Sequence, residues 1–188
     1  MSDIRSTGTK EKVQLEALHI RYIPVVTPMD IYEGDLSLMN SPHVEMLELY
    51  EKHGFDWRKL KKTRYVKERQ RRLKIGMSKW TDAYILNVHL PKRFKLFESI
   101  RKKGYDRRQP IEILEEPFWV TRFGLKNAWV GGPEIWTGAG RAASRWVLGK
   151  RSIWAEWYED RHPGSMDKGK FDKKLMFVKG VWDETHKG

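Results

Sequence analysis

Apolar residues recur at helical spacing in two parts of the chain, and each stripe ends at a glycine. Val44, Leu47 and Tyr50 follow Ser41, and Gly54 comes after them. Serine is a preferred residue for capping the free amides at a helix start, and glycine is favoured just past a helix end. The spacing therefore predicts an amphipathic helix that Ser41 caps and Gly54 ends.

The second stripe consists of Phe94, Phe97 and Ile100, and Gly104 follows it. This pattern predicts a second amphipathic helix. Directly before that helix, the mostly apolar run Ala83–Leu90 predicts a strand.

Further short apolar or alternating runs are bounded by proline and glycine, which is typical of strands. These runs are Leu18–Val26, Ile111–Leu114, Phe118–Phe123 and Glu134–Thr137. Strands and helices are thus interspersed, with a hairpin-like pair before the last helix. The order predicts an α+β fold, a small mixed sheet with packed helices.

The same patterns suggest how the chain is divided. Residues 1–12 are polar and without periodicity, which predicts a flexible tail. Residues 13–82 form an N-terminal, largely helical extension that carries a basic segment, and residues 83–160 form the core. Residues 161–188 form a C-terminal extension.

Composition excludes several classes of protein. Nine tryptophans in 188 residues are too many for a disordered chain, and the absence of cysteine excludes disulfides and thiolate catalysis. No apolar run approaches the roughly 18 residues of a membrane span, so we expect a cytoplasmic protein without a membrane partner. The 37 Lys and Arg outnumber the 25 Asp and Glu and leave a net charge of +12, which favours polyanionic partners.

The positive charge is concentrated in Arg58–Lys74, where ten basic residues accompany a single acidic one, Glu68. Such a segment is either a solvated helix or loop, or a strip that contacts the phosphates of nucleic acid. Trp57, Tyr65 and Trp80 are candidate stacking surfaces beside it. The candidate nucleic-acid contacts are Arg64, Lys67, Arg69, Arg71, Arg72 and Lys74.

A glycine-rich turn follows the strand Glu134–Thr137. Gly138 and Gly140 allow a ligand to approach the backbone closely, and Arg141 lies in the first turn of the next helix. Free amides and the helix dipole favour an anion at that position, and an arginine adds a bidentate contact to phosphate. Arg145, one helical turn later, is predicted to assist Arg141.

Two segments together resemble the ParB/sulfiredoxin superfamily. RFKLFESIRKKGYDRRQPIEILE is similar to the helix, glycine, proline and strand of that core, and TGAGRAASRWVLG is similar to its phosphate-binding box. The resemblance covers roughly residues 87–157. It implies a ParB N-terminal/sulfiredoxin-like core, of the stand-alone kind found in phages and mobile elements.

The resemblance also implies a ligand. It makes Gly138, Gly140 and Arg141 contacts to a nucleotide such as CTP or ATP, with Mg²⁺ as an accompanying ion and DNA as the favoured nucleic acid. Sulfiredoxins have a cysteine where this chain has Ala139, so sulfinic-acid reduction is excluded. Partition-type ParB proteins have Glu followed by two Arg in the box, and this chain keeps one Arg.

The acidic residues near the turn form two groups, and each group has two interpretations. Glu112 and Glu134 alternate with isoleucines, so they either face solvent or supply a general base or metal-binding carboxylate beside the phosphate site. The group Glu156, Glu159, Asp160 and His162 either binds Mg²⁺ or is an exposed strand end. Trp129 and Trp136 are the first candidates for stacking on a base.

Two functions are consistent with these patterns. The first is a ParB-like protein that binds a phosphorylated ligand at the turn and touches nucleic acid through its basic segment, with phosphoryl transfer or phosphodiester cleavage as the reaction to test. The alternative is a non-catalytic module that binds DNA, RNA or a protein and keeps a degenerate nucleotide box. In both, the basic segment is expected to be a contact surface separate from the small-anion pocket.

Overall fold

A five-stranded mixed sheet forms one layer of the protein, and helices pack on it. The computed structural model describes residues 4–20, 37–74, 78–115 and 132–160. The strands are β1 (Ile4–Gln14), β2 (His19–Ile20), β3 (Ile111–Leu114), β4 (Glu134–Thr137) and β5 (Ser152–Asp160). Their order across the sheet is β1-β5-β3-β4-β2, with β3 parallel to β5 and antiparallel to β4. The predicted α+β class is confirmed.

The helices are α1 (Pro42–His53), α2 (Trp57–Leu60), α3 (Arg64–Lys74), α4 (Asp82–Tyr84), α5 (Leu90–Lys103) and α6 (Ala139–Val147). They share one apolar core with the sheet. Ile113 and Ile135 contribute to it from the strands, and Leu47, Phe97 and Ala142 from the helices. Among the described residues, no helix combines the length and apolar character needed to cross a membrane.

The first predicted helix is confirmed as α1. The Ser41 hydroxyl accepts a hydrogen bond from the Val44 amide at 3.3 Å, and Gly54 follows the helix with a φ of 65°. The second is confirmed as α5, which buries Phe94, Phe97 and Ile100. Local capping and periodicity are sufficient to define both helices.

The prediction of a strand over Ala83–Leu90 is wrong. These residues continue from α4 through a π-helical turn, Ile85–His89, into α5. Pro91 has no amide hydrogen to donate inside the helix, and the turn just before it closes with the Leu90 amide on the Ile85 carbonyl. A short apolar run does not distinguish a strand from a buried helix, which explains the error.

The flexible tail predicted for residues 1–12 is also wrong from Ile4 onward. These residues form β1, which pairs antiparallel with β5 from Ile4 opposite Asp160 to Gln14 opposite Ser152. Nearly all its side chains are exposed, so its apolar pattern carries no strand signal. The strand is held by backbone hydrogen bonds at a sheet edge.

The sheet combines segments that the sequence pattern assigns to different parts of the chain. β1 and β2 precede the expected core, yet they lie in one sheet with β3, β4 and β5. Of the predicted strands, Leu18–Val26 is described only to Ile20, and Phe118–Phe123 lies outside the described residues. Ile111–Leu114 and Glu134–Thr137 are confirmed as β3 and β4.

Candidate anion-binding site

The glycine-rich turn between β4 and α6 is tightly constrained. Gly138 has a φ of 101°, and a Cβ placed there would lie 2.7 Å from Ile111 Cγ2 and 2.9 Å from Arg141 Nη2. At Gly140 a Cβ would lie 3.1 Å from Arg93 Nη1. Both glycines therefore keep the backbone accessible and leave room for guanidinium groups beside it.

Four arginines from three helices meet at this turn. Arg69 and Arg72 of α3, Arg93 of α5 and Arg141 of α6 line a cavity of about 500 Å³ together with the turn itself. We call this space the arginine cavity. Its other walls include His43 at the start of α1 and an apolar part made of Ile20, Leu96, Ile135 and Trp136.

Three of the four arginine side chains are held in place by their neighbours. Arg141 Nη1 donates to the Gln109 carbonyl at 2.7 Å. The Arg69 guanidinium lies 5.0 Å from the ring centre of Tyr65 and 5.4 Å from that of Trp80. Arg72 forms an ion pair with Glu68, which is almost fully buried. Such fixed guanidinium groups lose little conformational entropy when an anion binds.

The charge of the cavity wall is strongly positive. Among the described residues of the lining, four guanidinium groups face one carboxylate, Glu68, which leaves three positive charges in excess. The first turn of α6 adds its free amides on the same wall. A concave surface with this charge attracts anions, and multiply charged anions most strongly.

Two histidines near the arginines are neutral. Burial, followed by the charges of Arg69 and Arg93, lowers the pKa of His89 to about 3. Burial, followed by Arg69 and other nearby cations, holds the pKa of His43 well below its usual value. Neither ring adds positive charge to the cavity at neutral pH.

Arg145, predicted to assist Arg141, does not line the arginine cavity. Its Nε donates to the Ser152 carbonyl at 2.7 Å, and its guanidinium lies 5.3 Å from the ring centre of Tyr105. Four residues advance a helix by about 6 Å along its axis. That advance takes Arg145 away from the turn and to the beginning of β5.

The two carboxylates predicted as catalytic are not brought to the cavity. Glu112 lies in β3 in register with Glu156 of β5 and forms a hydrogen bond with Tyr158. Glu134 lies in β4 beside His19 and is fully buried, so it does not face solvent either. Among the described residues, the carboxylate that lines the cavity is Glu68.

The structure divides the basic segment into three groups. Arg69 and Arg72 line the arginine cavity, so the expectation of two separate anion sites is wrong for these two residues. Arg64 forms an ion pair with Glu45, in which its Nε lies 2.6 Å from Glu45 Oε2. The remaining candidates lie on the opposite side of α3; they are Lys67, Arg71 and Lys74.

Most of the aromatic residues proposed to stack on bases pack against other residues of the protein. Tyr65 is fully buried and its hydroxyl lies 2.7 Å from His89 Nε2. Trp80 contacts the rings of Tyr84 and His89. Trp57 is partly buried against the core. Trp136 lines the arginine cavity, whereas Trp129 lies outside the described residues.

Three residues of the acidic group proposed for Mg²⁺, Glu156, Glu159 and Asp160, lie in β5, between β1 and β3. Glu156 accepts a hydrogen bond from Ser6, and its carboxylate is 3.3 Å from the Lys10 ammonium. These contacts lower the pKa of Glu156, with the Ser6 hydrogen bond as the largest cause. His162 is outside the described residues, and within them no three His, Asp or Glu side chains are grouped as metal ligands.

Sequence reasoning missed two residues of the cavity. His43 follows Pro42 in a capping turn, which carries no local signal of ligand binding. Arg93 lies four and seven residues before Phe97 and Ile100, so it shares the apolar side of α5. A basic residue in line with an apolar stripe is the one local signal that could have singled it out. Only the packing of α1 and α5 against α6 brings both to the glycine turn.

Comparison of the chain with protein-family models, curated proteins and solved structures finds no match in any of the three. The ParB/sulfiredoxin resemblance therefore stays a prediction from two sequence segments.

Proposed function

We propose that this protein binds a nucleotide, or a closely related phosphorylated ligand, in the arginine cavity and acts on or with nucleic acid, DNA being favoured. The observation that carries the proposal is the meeting of Arg69, Arg72, Arg93 and Arg141 at the Gly138–Gly140 turn. Guanidinium groups match phosphate oxygens in geometry as well as in charge.

The size of the cavity supports a small ligand. Sites for small molecules and cofactors commonly enclose about 300 to 1,000 Å³, and this one encloses about 500 Å³. A wall with three excess positive charges complements a di- or triphosphate better than a single phosphodiester. The apolar part of the wall, with Trp136, offers a surface for a base or ribose.

The resemblance supports the same class of ligand and narrows it to CTP or ATP. In such a site the arginines would neutralise charge on the phosphoryl oxygens, and a Mg²⁺ ion brought by the nucleotide would add to that neutralisation. Phosphoryl transfer and phosphodiester cleavage are the reactions consistent with that chemistry. Both would use the cavity residues to position the phosphates.

Thermal unfolding with nucleotides tests the proposal directly. CTP, ATP and GTP are added with Mg²⁺ to the wild type, to Arg141→Ala and to Arg93→Gln. A nucleotide at a hundred times its Kd stabilises a protein by about 2.7 kcal/mol, which corresponds to a Tm increase of about 5 to 10 °C at this size. We expect such an increase in the wild type and its loss in both variants.

Arg58→Gln is the matched control, because Arg58 is exposed and does not line the cavity. It should respond to nucleotide as the wild type does. If none of the three nucleotides raises the Tm of the wild type, the proposal is wrong. Arg93→Gln keeps the test informative if Arg141→Ala, which loses a hydrogen bond to Gln109, folds poorly.

A second candidate function is binding of DNA or RNA without catalysis. It is favoured by the outer side of α3, which carries Lys67, Arg71 and Lys74, and by Lys61 and Lys62 on the preceding turn. Lysine and arginine side chains at a protein surface contact phosphate backbones irrespective of sequence. Nucleic-acid binding without any nucleotide response would favour this function.

A further inference from the structure

His43 occupies a fixed position in the wall of the arginine cavity. It lies in the first turn of α1, where Pro42 and the Ser41 cap define the backbone. Its ring meets the buried ring of Tyr65 edge to face, with centroids 4.9 Å apart. The imidazole is therefore oriented before any ligand enters.

The two ring nitrogens of His43 are in different surroundings. Nδ1 is buried and has no hydrogen-bond partner among the described residues. A neutral imidazole carries its proton on one nitrogen, and a buried N–H without an acceptor is rarer in proteins than an unused acceptor. The proton is then on Nε2, which is the nitrogen left for contact with a ligand in the cavity.

The groups around His43 keep the ring neutral. Arg69 and Arg72 face it from α3, Arg93 faces it from α5, and His89 lies nearby at the end of the π-helical turn. Burial and these neighbours all oppose a further positive charge on the ring. A neutral N–H in this position donates a hydrogen bond without adding to the repulsion among the arginines.

We propose that His43 donates a hydrogen bond from Nε2 to a phosphoryl oxygen of the ligand in the arginine cavity. This inference rests on the proposed function and adds a neutral contact to its four cationic ones. The alternative role of His43, a proton acceptor, requires a free lone pair on Nε2. That arrangement would leave an orphaned N–H at the buried Nδ1.

Binding of pyrophosphate and of CTP is measured by calorimetry for the wild type, His43→Ala and His43→Gln. A hydrogen bond to a charged group is worth roughly a ten- to hundredfold change in affinity, so His43→Ala should weaken binding by about tenfold or more. The side-chain amide of His43→Gln offers a donor near the position of Nε2. We expect it to bind within about threefold of the wild type.

His53→Ala is the matched control, since His53 is an exposed histidine at the other end of α1. It should not change the affinity. Nitrogen NMR of the wild type gives a second measurement that needs no variant at the site. The Nε2–H tautomer is expected in the free protein, with a shift of the Nε2 signal when pyrophosphate is added.

The outcomes separate this inference from the proposed function. If the wild type binds pyrophosphate or CTP and His43→Ala binds equally well, the role of His43 is refuted while the proposed function stands. A proton on Nδ1, or a protonated ring in the complex, also refutes it. If the wild type binds neither compound, this inference fails, and the proposed function fails with it only if ATP and GTP also leave the Tm of the wild type unchanged.

Discussion

Both sides of helix α3 carry basic residues, but the two sides have different surroundings. Tyr65, Arg69 and Arg72 are spaced by four and three residues, and they share the side that faces the arginine cavity and the core. Lys67, Arg71 and Lys74 have the same spacing on the opposite side. We call these the inner and outer sides of α3.

The difference lies in what surrounds the charges. On the inner side Glu68 is buried beside Arg72, and Arg69 lies against two aromatic rings. On the outer side Lys67 and Lys74 are exposed, so water and salt screen their charges. Basic residues of one helix can therefore be held rigidly in a cavity wall on one side and remain screened by solvent on the other.

The largest expected effect is on stability, at Glu68. Replacing Glu68 with Ala leaves Arg72 without its carboxylate among three other arginines, and breaking a buried ion pair costs about 3 kcal/mol or more. The outer variant Lys67→Ala should stay within about 0.5 kcal/mol of the wild type. Urea unfolding measures both, and equal values for the two variants would show that the inner side has no special electrostatic environment.

Low pH should destabilise the protein through His89, which contacts Tyr65 on the inner side of α3. The pKa of His89 is about 3 when folded, so the unfolded chain takes up its proton first as the pH falls below about 6.5. Stability is full above that pH and decreases below it, by about 2.5 kcal/mol from His89 at pH 4.5. Unfolding curves between pH 7 and pH 4.5 measure the loss.

His89→Gln is the comparison for the acid effect. This variant loses the titrating ring, so the part of the pH dependence due to His89 should disappear, whatever its stability at pH 7. An unchanged slope of stability against pH in His89→Gln would contradict the assignment of this acid effect to His89. The exposed variant His53→Gln should keep the wild-type slope.

The third effect is on nucleotide affinity. Arg69→Gln removes a charged contact from the arginine cavity and should weaken CTP or pyrophosphate binding by about tenfold or more. Arg71→Gln removes the same charge two residues away on the outer side and should change the affinity by less than about twofold. Calorimetry on the two variants compares the sides directly, and similar losses would disprove the division.

Nucleic-acid binding is expected to show the smallest effect per substituted residue. Replacing Lys67, Arg71 and Lys74 together with Ala should reduce the slope of log affinity against log salt for duplex DNA by about 2 to 3, since each phosphate contact contributes about 0.9. Nucleotide affinity should not change. Binding is measured by fluorescence anisotropy at several salt concentrations.

A second variant that loses three positive charges outside α3 controls for the change in net charge. Lys95, Lys102 and Arg107 are exposed and lie outside the basic segment. If their replacement with Ala reduces the salt slope equally, the outer side of α3 is not the particular contact. An unchanged slope in the α3 variant would exclude it as well.

Local signals in the sequence were sufficient for much of the fold. The Ser41 cap and the apolar stripe before Gly54 define α1, and a stripe before Gly104 defines α5. The sequence predicts the turn at Gly138 from its two closely spaced glycines after a strand. For these three elements the sequence signal lies within a few residues.

Other elements have no such local signal. β1 exposes nearly all its side chains, and its backbone pairs with β5, which lies about 150 residues further along the chain. The run before Pro91 is apolar enough for either a strand or a buried helix, and its packing decides for a helix. Periodicity records which side of an element is buried but not which distant segment covers it.

The sequence by itself thus determined the α+β class, the capped helices and the glycine turn with Arg141. Tertiary structure alone decided that Arg69, Arg72, Arg93 and His43 meet at that turn, and that Arg145 does not. The physical reason is that a side chain's role in the cavity depends on distances between elements. Those distances are set when α1, α3, α5 and α6 pack around the common core.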